Sequence, residues 1–141
     1  MEPKERIIKE ARSLFFRLGI RSVTMDDIAA QVGMSKKTLY QHFADKDELV
    51  DDLVYGEIGV MQKETVECIN SSANAIEEIF ISMDMANRHF TKMNPMLLFD
   101  LHKFHFKSFQ KFMDHKNTFL IKVITDNLKR GIEEGLYRAD T

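Results

Sequence analysis

The sequence lacks several features that define large classes of protein. It has one cysteine, Cys68, and no tryptophan. A single cysteine cannot form a disulfide within the chain, which favours a reducing compartment such as the cytoplasm. No apolar run approaches the ~20 residues of a membrane-spanning helix, and the N-terminus lacks the apolar stretch of a signal peptide. We therefore expect a cytoplasmic protein with no membrane partner.

Proline and glycine are also scarce, with two and six residues among 141. Because these are the residues that most often interrupt helices, long helices can form almost everywhere. Apolar residues recur at helical spacing between the few breakers. The predicted longer helices cover about 5–18, 45–71, 73–91, 96–103 and 104–134. The sequence therefore predicts an all-α fold.

A short N-terminal stretch contains three helix-start signals in quick succession. The candidate N-caps are Thr24, Ser35 and Asp45. Asp27 and Glu48 follow the first and the last of these by three residues, the spacing of a capping box. Gly33 follows the first short helix, and the Ser35 cap lies two residues later, which is typical of a tight turn between two steeply crossing helices. This pattern predicts a helix-turn-helix with its second helix at about 36–42.

The second helix of this motif separates into an apolar face and a polar face. Leu39 and Phe43 are expected to point inward. The outward face consists of Lys36, Lys37, Thr38, Tyr40, Gln41 and His42. A face with hydrogen-bond donors and no acid suits a polyanion such as DNA. The alternative is a short surface helix that carries two lysines by chance.

The net charge of −2 does not by itself indicate a nucleic-acid partner. Its distribution is more informative. Residues 1–46 carry nine Lys/Arg and six Asp/Glu, whereas residues 47–91 carry two and ten. Because the acidic middle would repel DNA phosphates, we expect the N-terminal end to face a duplex.

The same stretch resembles the DNA-binding domain of the tetracycline-repressor (TetR) family. The matching residues are Thr24, Ile28-Ala29, Gly33-Met34-Ser35, Thr38-Leu39-Tyr40, His42-Phe43 and Lys46-Asp47-Glu48-Leu49. The resemblance is strong over roughly the first third of the chain. It implies a three-helix DNA-binding domain at residues 1–46 and a helical regulatory domain at 47–141. It also implies a dimeric repressor whose affinity for its operator falls when a small effector binds.

Eight residues are the expected DNA-binding site. Lys36, Lys37 and Thr38 lie in the first turn of the second helix, from which side chains reach bases in the major groove. The remaining expected contacts, to phosphates or to the groove edge, are made by Thr24, Ser35, Tyr40, His42 and Lys46. For Tyr40 and His42 this role is implied by the matching positions of the family.

Large flexible side chains are concentrated in residues 80–119, which hold eight of eleven phenylalanines and five of nine methionines. Such side chains can line an adaptable apolar pocket, and the resemblance implies a small effector between these helices. Candidate lining residues are Phe80, Met83, Phe99, Phe109 and Phe112. A place in the hydrophobic core is the alternative for each of them.

Motifs for catalysis or cofactor binding are absent, including GxSxG, HExxH and a phosphate-binding glycine loop. His102 and His105 are three residues apart, but a zinc site needs three or four converging ligands. We therefore predict no enzymatic activity, no metal and no cofactor. The main alternative to a DNA-binding regulator is a helical protein-interaction module that uses the same fold without binding DNA.

The C-terminal sequence GIEEGLYRADT resembles the segment that closes the seventh helix in the TetR family. In that family two further helices follow and usually build the dimer interface. We therefore expect that this chain is C-terminally incomplete and that the full-length protein is a homodimer.

Overall fold

The computed structural model describes residues 1–141 apart from the side chain at position 90. Within this description the chain forms seven helices and no strand, which confirms the all-α prediction. The helices are α1 (Pro3–Leu18), α2 (Met25–Val32), α3 (Lys36–His42), α4 (Lys46–Ser71), α5 (Ala75–Lys92), α6 (Met96–Phe104) and α7 (Phe106–Glu133). None of the helices described is long and apolar enough to span a membrane.

Side-chain caps explain where α2 and α3 begin. Thr24 Oγ1 accepts the N–H of Asp27 at 3.1 Å, and Asp27 Oδ2 accepts the N–H of Thr24 at 2.9 Å. Ser35 Oγ accepts the N–H of Thr38 at 3.1 Å. Each bond satisfies a backbone donor that has no partner within its helix. Both predicted helix starts are therefore confirmed.

The start of α4 follows the same chemistry with one difference. Asp45 Oδ1 accepts the N–H of Glu48 at 2.9 Å, as the cap predicts. The carboxylate of Glu48, however, accepts the N–H of Ala44 at 2.9 Å, one residue before the cap. The capping interaction therefore spans one more residue than the standard box.

The break between α6 and α7 lies one residue later than the sequence pattern suggests. His105 adopts φ −137° and ψ 55°, and its N–H donates to Leu101 O at 3.0 Å. This residue therefore ends α6, and its carbonyl accepts the N–H of Phe109 at 3.0 Å, so α7 begins directly after it. The two helices, expected at about 96–103 and 104–134, run instead over Met96–Phe104 and Phe106–Glu133.

The chain divides into two compact units. Unit 1 comprises Met1–Glu57 and Lys92–Phe112, and unit 2 comprises Ile58–Thr91 and Met113–Thr141. The largest fully buried side chains all belong to unit 1: Ile7, Phe15, Val23, Ile28, Leu39, Phe43, Leu49 and Val50. Burying a large apolar side chain contributes about 1.5–3 kcal/mol, so this cluster stabilises α1–α4 around one core. The functional division at residue 46 stays a prediction.

A turn held by buried polar contacts connects α1 to α2. Gly19 ends α1 with φ +83° and ψ 174°, a conformation that is nearly restricted to glycine. Asp100, on α6, accepts the N–H groups of Ile20 at 2.9 Å and Arg21 at 3.0 Å. Lys46, at the start of α4, donates to the carbonyl of Ile20 at 2.5 Å. Three helices therefore converge on the turn that precedes the helix-turn-helix.

Unit 2 contains a buried polar network between α5 and α7. Arg130 donates to Glu78 Oε1 at 3.0 Å and to Ser72 Oγ at 2.7 Å. Asn127 donates to Glu78 Oε2 at 2.5 Å and accepts from the hydroxyl of Tyr137 at 2.9 Å. Glu78 is 4% exposed, so its charge depends on these partners.

Candidate nucleic-acid interface

The turn between α2 and α3 is short and depends on one glycine. Gly33 adopts the left-handed conformation, φ +81° and ψ 34°, and its N–H donates to Ala29 O at 3.0 Å. Met34 N–H donates to the same carbonyl at 3.0 Å. These bonds satisfy the end of α2, and the chain reaches the Ser35 cap within two residues. The arrangement is a helix-turn-helix.

The second helix of the motif, α3, has the two faces expected from its sequence. Leu39 and Phe43 are fully buried. The exposed side chains of this helix are Lys36, Lys37, Tyr40 and Gln41, and those of Thr38 and His42 are half-buried. The outward surface of α3 therefore carries hydrogen-bond donors and two ammonium groups but no carboxylate of its own.

The two lysines of this surface differ in their surroundings. Lys36 Nζ lies 3.2 Å from Asp26 Oδ1, on α2, and 6.0 Å from the ring centroid of Tyr40. Lys37 is exposed and forms no ion pair with any residue that the structure describes. Lys37 is therefore the ammonium group most available to a new anionic or neutral acceptor.

Hydroxyl groups order the start of α3. The Ser35 and Thr38 hydroxyl oxygens are 2.8 Å apart, in addition to the bond from Thr38 N–H to Ser35 Oγ. The side chain of Thr38 is therefore held in a defined direction in the first turn. Its methyl group is the apolar contact that suits a thymine methyl in the major groove.

Lys46 is placed differently from the other predicted phosphate contacts. Its side chain is half-buried, and its ammonium group donates to the carbonyl of Ile20. Burial lowers the pKa of Lys46, while the carboxylates of Asp100, Asp27 and Asp47 oppose that shift. A contact from Lys46 to a phosphate would require the ammonium group to leave the Ile20 carbonyl.

Sequence reasoning missed one residue beside this surface. Asp26 had the pattern of a helix-start acid, like its neighbour Asp27. The structure distinguishes them, because Asp27 belongs to the capping box and Asp26 contacts Lys36. No sequence signal indicates that contact, since the two residues lie on different helices.

The candidate effector residues are distributed over both units. Met83 lies in an apolar groove of about 600 Å³ in unit 2, between α5, α7 and the C-terminal segment. Phe80, also in unit 2, is 67% exposed. Phe99, Phe109 and Phe112 belong to unit 1. The structure therefore places one of the five in this groove, whose other apolar lining residues are Ile79, Leu120, Val123, Ile124 and Leu128.

The histidines considered as metal ligands have other neighbours. His102 packs edge to face against Phe109, with ring centroids 4.8 Å apart. His105 Nδ1 lies 2.5 Å from Asp47 Oδ1. Among the residues described, no group of three or more His, Cys, Asp or Glu side chains is arranged to hold a metal ion.

Comparison with known proteins agrees with this geometry. Residues 7–53 match the family model for bacterial regulatory proteins of the tetR family. The HTH-type transcriptional repressor KstR2 of Mycobacterium tuberculosis is 28% identical over 137 residues, which cover 95% of this chain and 68% of that relative. The uncharacterized HTH-type transcriptional regulator YvaF of Bacillus subtilis is 32% identical over 105 residues, covering 72% of this chain and 54% of YvaF.

A solved structure extends the similarity beyond the helix-turn-helix. The ketosteroid transcriptional regulator KstR2 of Mycobacterium tuberculosis superposes with a TM-score of 0.66 and 26% identity. The match covers 99% of this chain and 73% of that one. Together with the family-model match over residues 7–53 and the repressor-named relative, this similarity supports a TetR-family transcriptional regulator with a helix-turn-helix DNA-binding domain.

Proposed function

We propose that this protein represses transcription by binding an operator through α3, and that a small apolar effector releases it. The observation that carries the proposal is the outward face of α3. There, Lys37 forms no ion pair among the residues described, and Thr38 is held by the Ser35 cap. Similarity to a relative named as a transcriptional repressor supports repression over activation. The protein acts by binding and not by catalysis.

The proposed DNA contacts fall into two groups with different consequences. Lys37 and Thr38, in the first turn of α3, read bases in the major groove. Tyr40 and His42, farther along the helix, hold phosphates. Lys46 joins them when its ammonium group exchanges the Ile20 carbonyl for a phosphate oxygen.

We also propose that residues 1–46 bind DNA, that residues 47–141 regulate this binding, and that the protein acts in the cytoplasm as a homodimer. A dimer with two recognition helices binds two half-sites about one helical turn, ~34 Å, apart. Such an operator would be a near-palindrome. The effector acts by binding the DNA-incompetent arrangement of the dimer more tightly than the competent one.

The groove in unit 2 is the proposed starting point for effector recognition. Its walls are mainly apolar side chains of α5 and α7, and the flexible side chain of Met83, one of the lining residues, can adapt its shape. Glu78, Asn127 and Tyr137 supply polar groups beside these walls. A ligand with a large apolar body and few polar groups fits this lining. The name of the KstR2 relative, a ketosteroid regulator, is consistent with that class.

Titration with duplex DNA tests the proposed interface. A duplex selected from a random library by the wild-type protein is compared with a scrambled duplex at several salt concentrations. Lys37→Ala should cost about 1–3 kcal/mol on the selected duplex and relax the preference at one base pair. Tyr40→Phe should lower the affinity for both duplexes by the same factor. Lys63→Ala, an exposed lysine on α4 in unit 2, is the charge-matched control.

The outcomes separate the alternatives. Equal loss on both duplexes for Lys37→Ala would remove that residue from base reading. If the wild-type protein binds neither duplex at low salt, the chain is better described as a protein-interaction module with this fold.

A further inference from the structure

An acidic side chain lies beside the DNA-binding surface proposed for α3. Asp26 is in the first turn of α2, and its Oδ1 is 3.2 Å from Lys36 Nζ in the first turn of α3. Both side chains are more than half exposed. Because the N-terminal residues of a recognition helix reach base edges, this carboxylate also lies where a duplex would approach.

Asp26 and the neighbouring Asp27 have different partners. Asp27 accepts the N–H of Thr24 and completes the capping box. Asp26 accepts no backbone N–H of the helix start, and its only described ion pair is with Lys36. The ring centroid of Tyr40 lies 6.0 Å from Lys36 Nζ. The ammonium group thus has a local anion before DNA arrives.

The Asp26–Lys36 pair would affect the binding of Lys36 to a phosphate and to guanine differently. A lysine ammonium group has three donors, so Lys36 can bind Asp26 and a neutral acceptor at the same time. Guanine O6 and N7 are neutral acceptors. A phosphate near Lys36 would instead be close to the Asp26 carboxylate, and the two anions would repel each other.

We propose that Asp26 is a specificity-determining residue that holds Lys36 and thereby weakens binding of this lysine to phosphates more than to guanine. The inference rests on the proposed role of α3 in DNA binding. It is an example of specificity obtained by penalising the wrong partner rather than by adding contacts to the right one. Asp26 therefore weakens the sequence-independent component of DNA binding, which depends on phosphate contacts.

The test compares the affinities of six proteins for the selected and scrambled duplexes. The proteins are wild type, Asp26→Asn, Asp26→Glu, Lys36→Met, the double variant Asp26→Asn/Lys36→Met, and Asp52→Asn. Asp52→Asn makes the same change in net charge on α4, at an exposed residue without an ion pair among those described. Asp26→Glu, which keeps the charge, is a conservative variant for rescue.

For Asp26→Asn we expect binding to the scrambled duplex to tighten by about threefold to fivefold. Binding to the selected duplex should tighten by less than about twofold, so the specificity ratio falls. The salt slope on the scrambled duplex should steepen by about 1 as Lys36 becomes available to phosphate. The change should disappear in the Lys36→Met background, and Asp26→Glu should keep the wild-type ratio.

Several results would overturn the inference while leaving DNA binding intact. These are an equal gain on both duplexes, the same gain from Asp52→Asn, or a gain that persists without Lys36. A loss of affinity for the selected duplex would mean that Asp26 itself contacts a base, which also overturns it. Failure of the wild-type protein to bind any duplex would instead remove the proposed function.

Discussion

The carboxylate of Asp100, on α6, accepts the backbone N–H of Ile20, in the turn between α1 and α2, at 2.9 Å. The same oxygen accepts the N–H of Arg21 at 3.0 Å. Asp100 is 3% exposed, so water cannot replace these bonds readily. Because Thr24 caps α2 four residues after Ile20, a residue of α6 orders the segment that leads into the helix-turn-helix.

Replacing Asp100 should therefore lower stability strongly. Asp100→Ala leaves two backbone N–H groups without their acceptor, and we expect the free energy of unfolding to fall by about 2–4 kcal/mol. Asp100→Asn should cost less, because an amide oxygen can still accept, although without the strength of a charged acceptor. Urea unfolding measures both losses, with Asp52→Asn as a control on α4. Equal stability of wild type and Asp100→Ala would show that these bonds contribute little.

Gly19 and Gly33 both have positive φ, but we expect alanine to lower stability by different amounts at the two positions. At Gly19 an added Cβ would lie 2.9 Å from Asp100 Oδ2 and 3.4 Å from Met96 Cβ, and the backbone conformation is nearly restricted to glycine. At Gly33 an added Cβ would meet nothing within 4 Å. We expect a loss of about 1–2 kcal/mol for Gly33→Ala from its left-handed backbone alone. Gly19→Ala should lower the free energy of unfolding by more than Gly33→Ala does. Thermal unfolding of both variants checks the order, and equal losses would contradict the crowding at Asp100.

The capping box should make stability depend on pH in the acidic range. Hydrogen bonds from the backbone and the side chain of Thr24 lower the pKa of Asp27. The carboxylate therefore stabilises the folded state above its unfolded pKa of about 4, and this contribution is lost as the pH falls through the folded value. The difference in stability between wild type and Asp27→Ala should shrink below about pH 4. Urea titrations between neutral and acidic pH test this, and a difference independent of pH would exclude the carboxylate as its source.

In unit 2, the buried carboxylate of Glu78 should depend on Arg130. Arg130→Met leaves that charge without its cation, so we expect a clear fall in melting temperature. The double variant Glu78→Gln/Arg130→Met should have a higher melting temperature than Arg130→Met, because the uncompensated charge is then absent. Glu134 also contacts Arg130, with its Oε2 3.0 Å from Arg130 Nε, and Glu134→Gln is the milder control. A double variant less stable than Arg130→Met would contradict the argument.

Local chemistry in the sequence was sufficient for the helix starts. The caps at Thr24, Ser35 and Asp45 join residues only three apart. Because each cap depends only on residues three apart, contacts with distant parts of the chain are not needed for it, and the sequence predicts it directly. The spacing of Gly33 and Ser35 predicted the helix-turn-helix for the same reason, and the family resemblance depended on that stretch.

Only the tertiary structure decided which distant groups meet. It placed Asp26 beside Lys36, Asp100 on the Ile20 amide, and Lys46 on the Ile20 carbonyl. It also placed Met83, on α5, in a groove of unit 2 with side chains of α7. Helical periodicity indicates which face of a helix is apolar but not which other helix that face meets. The contacts of the proposed DNA-binding surface therefore depend on packing between helices, which no spacing within one helix specifies.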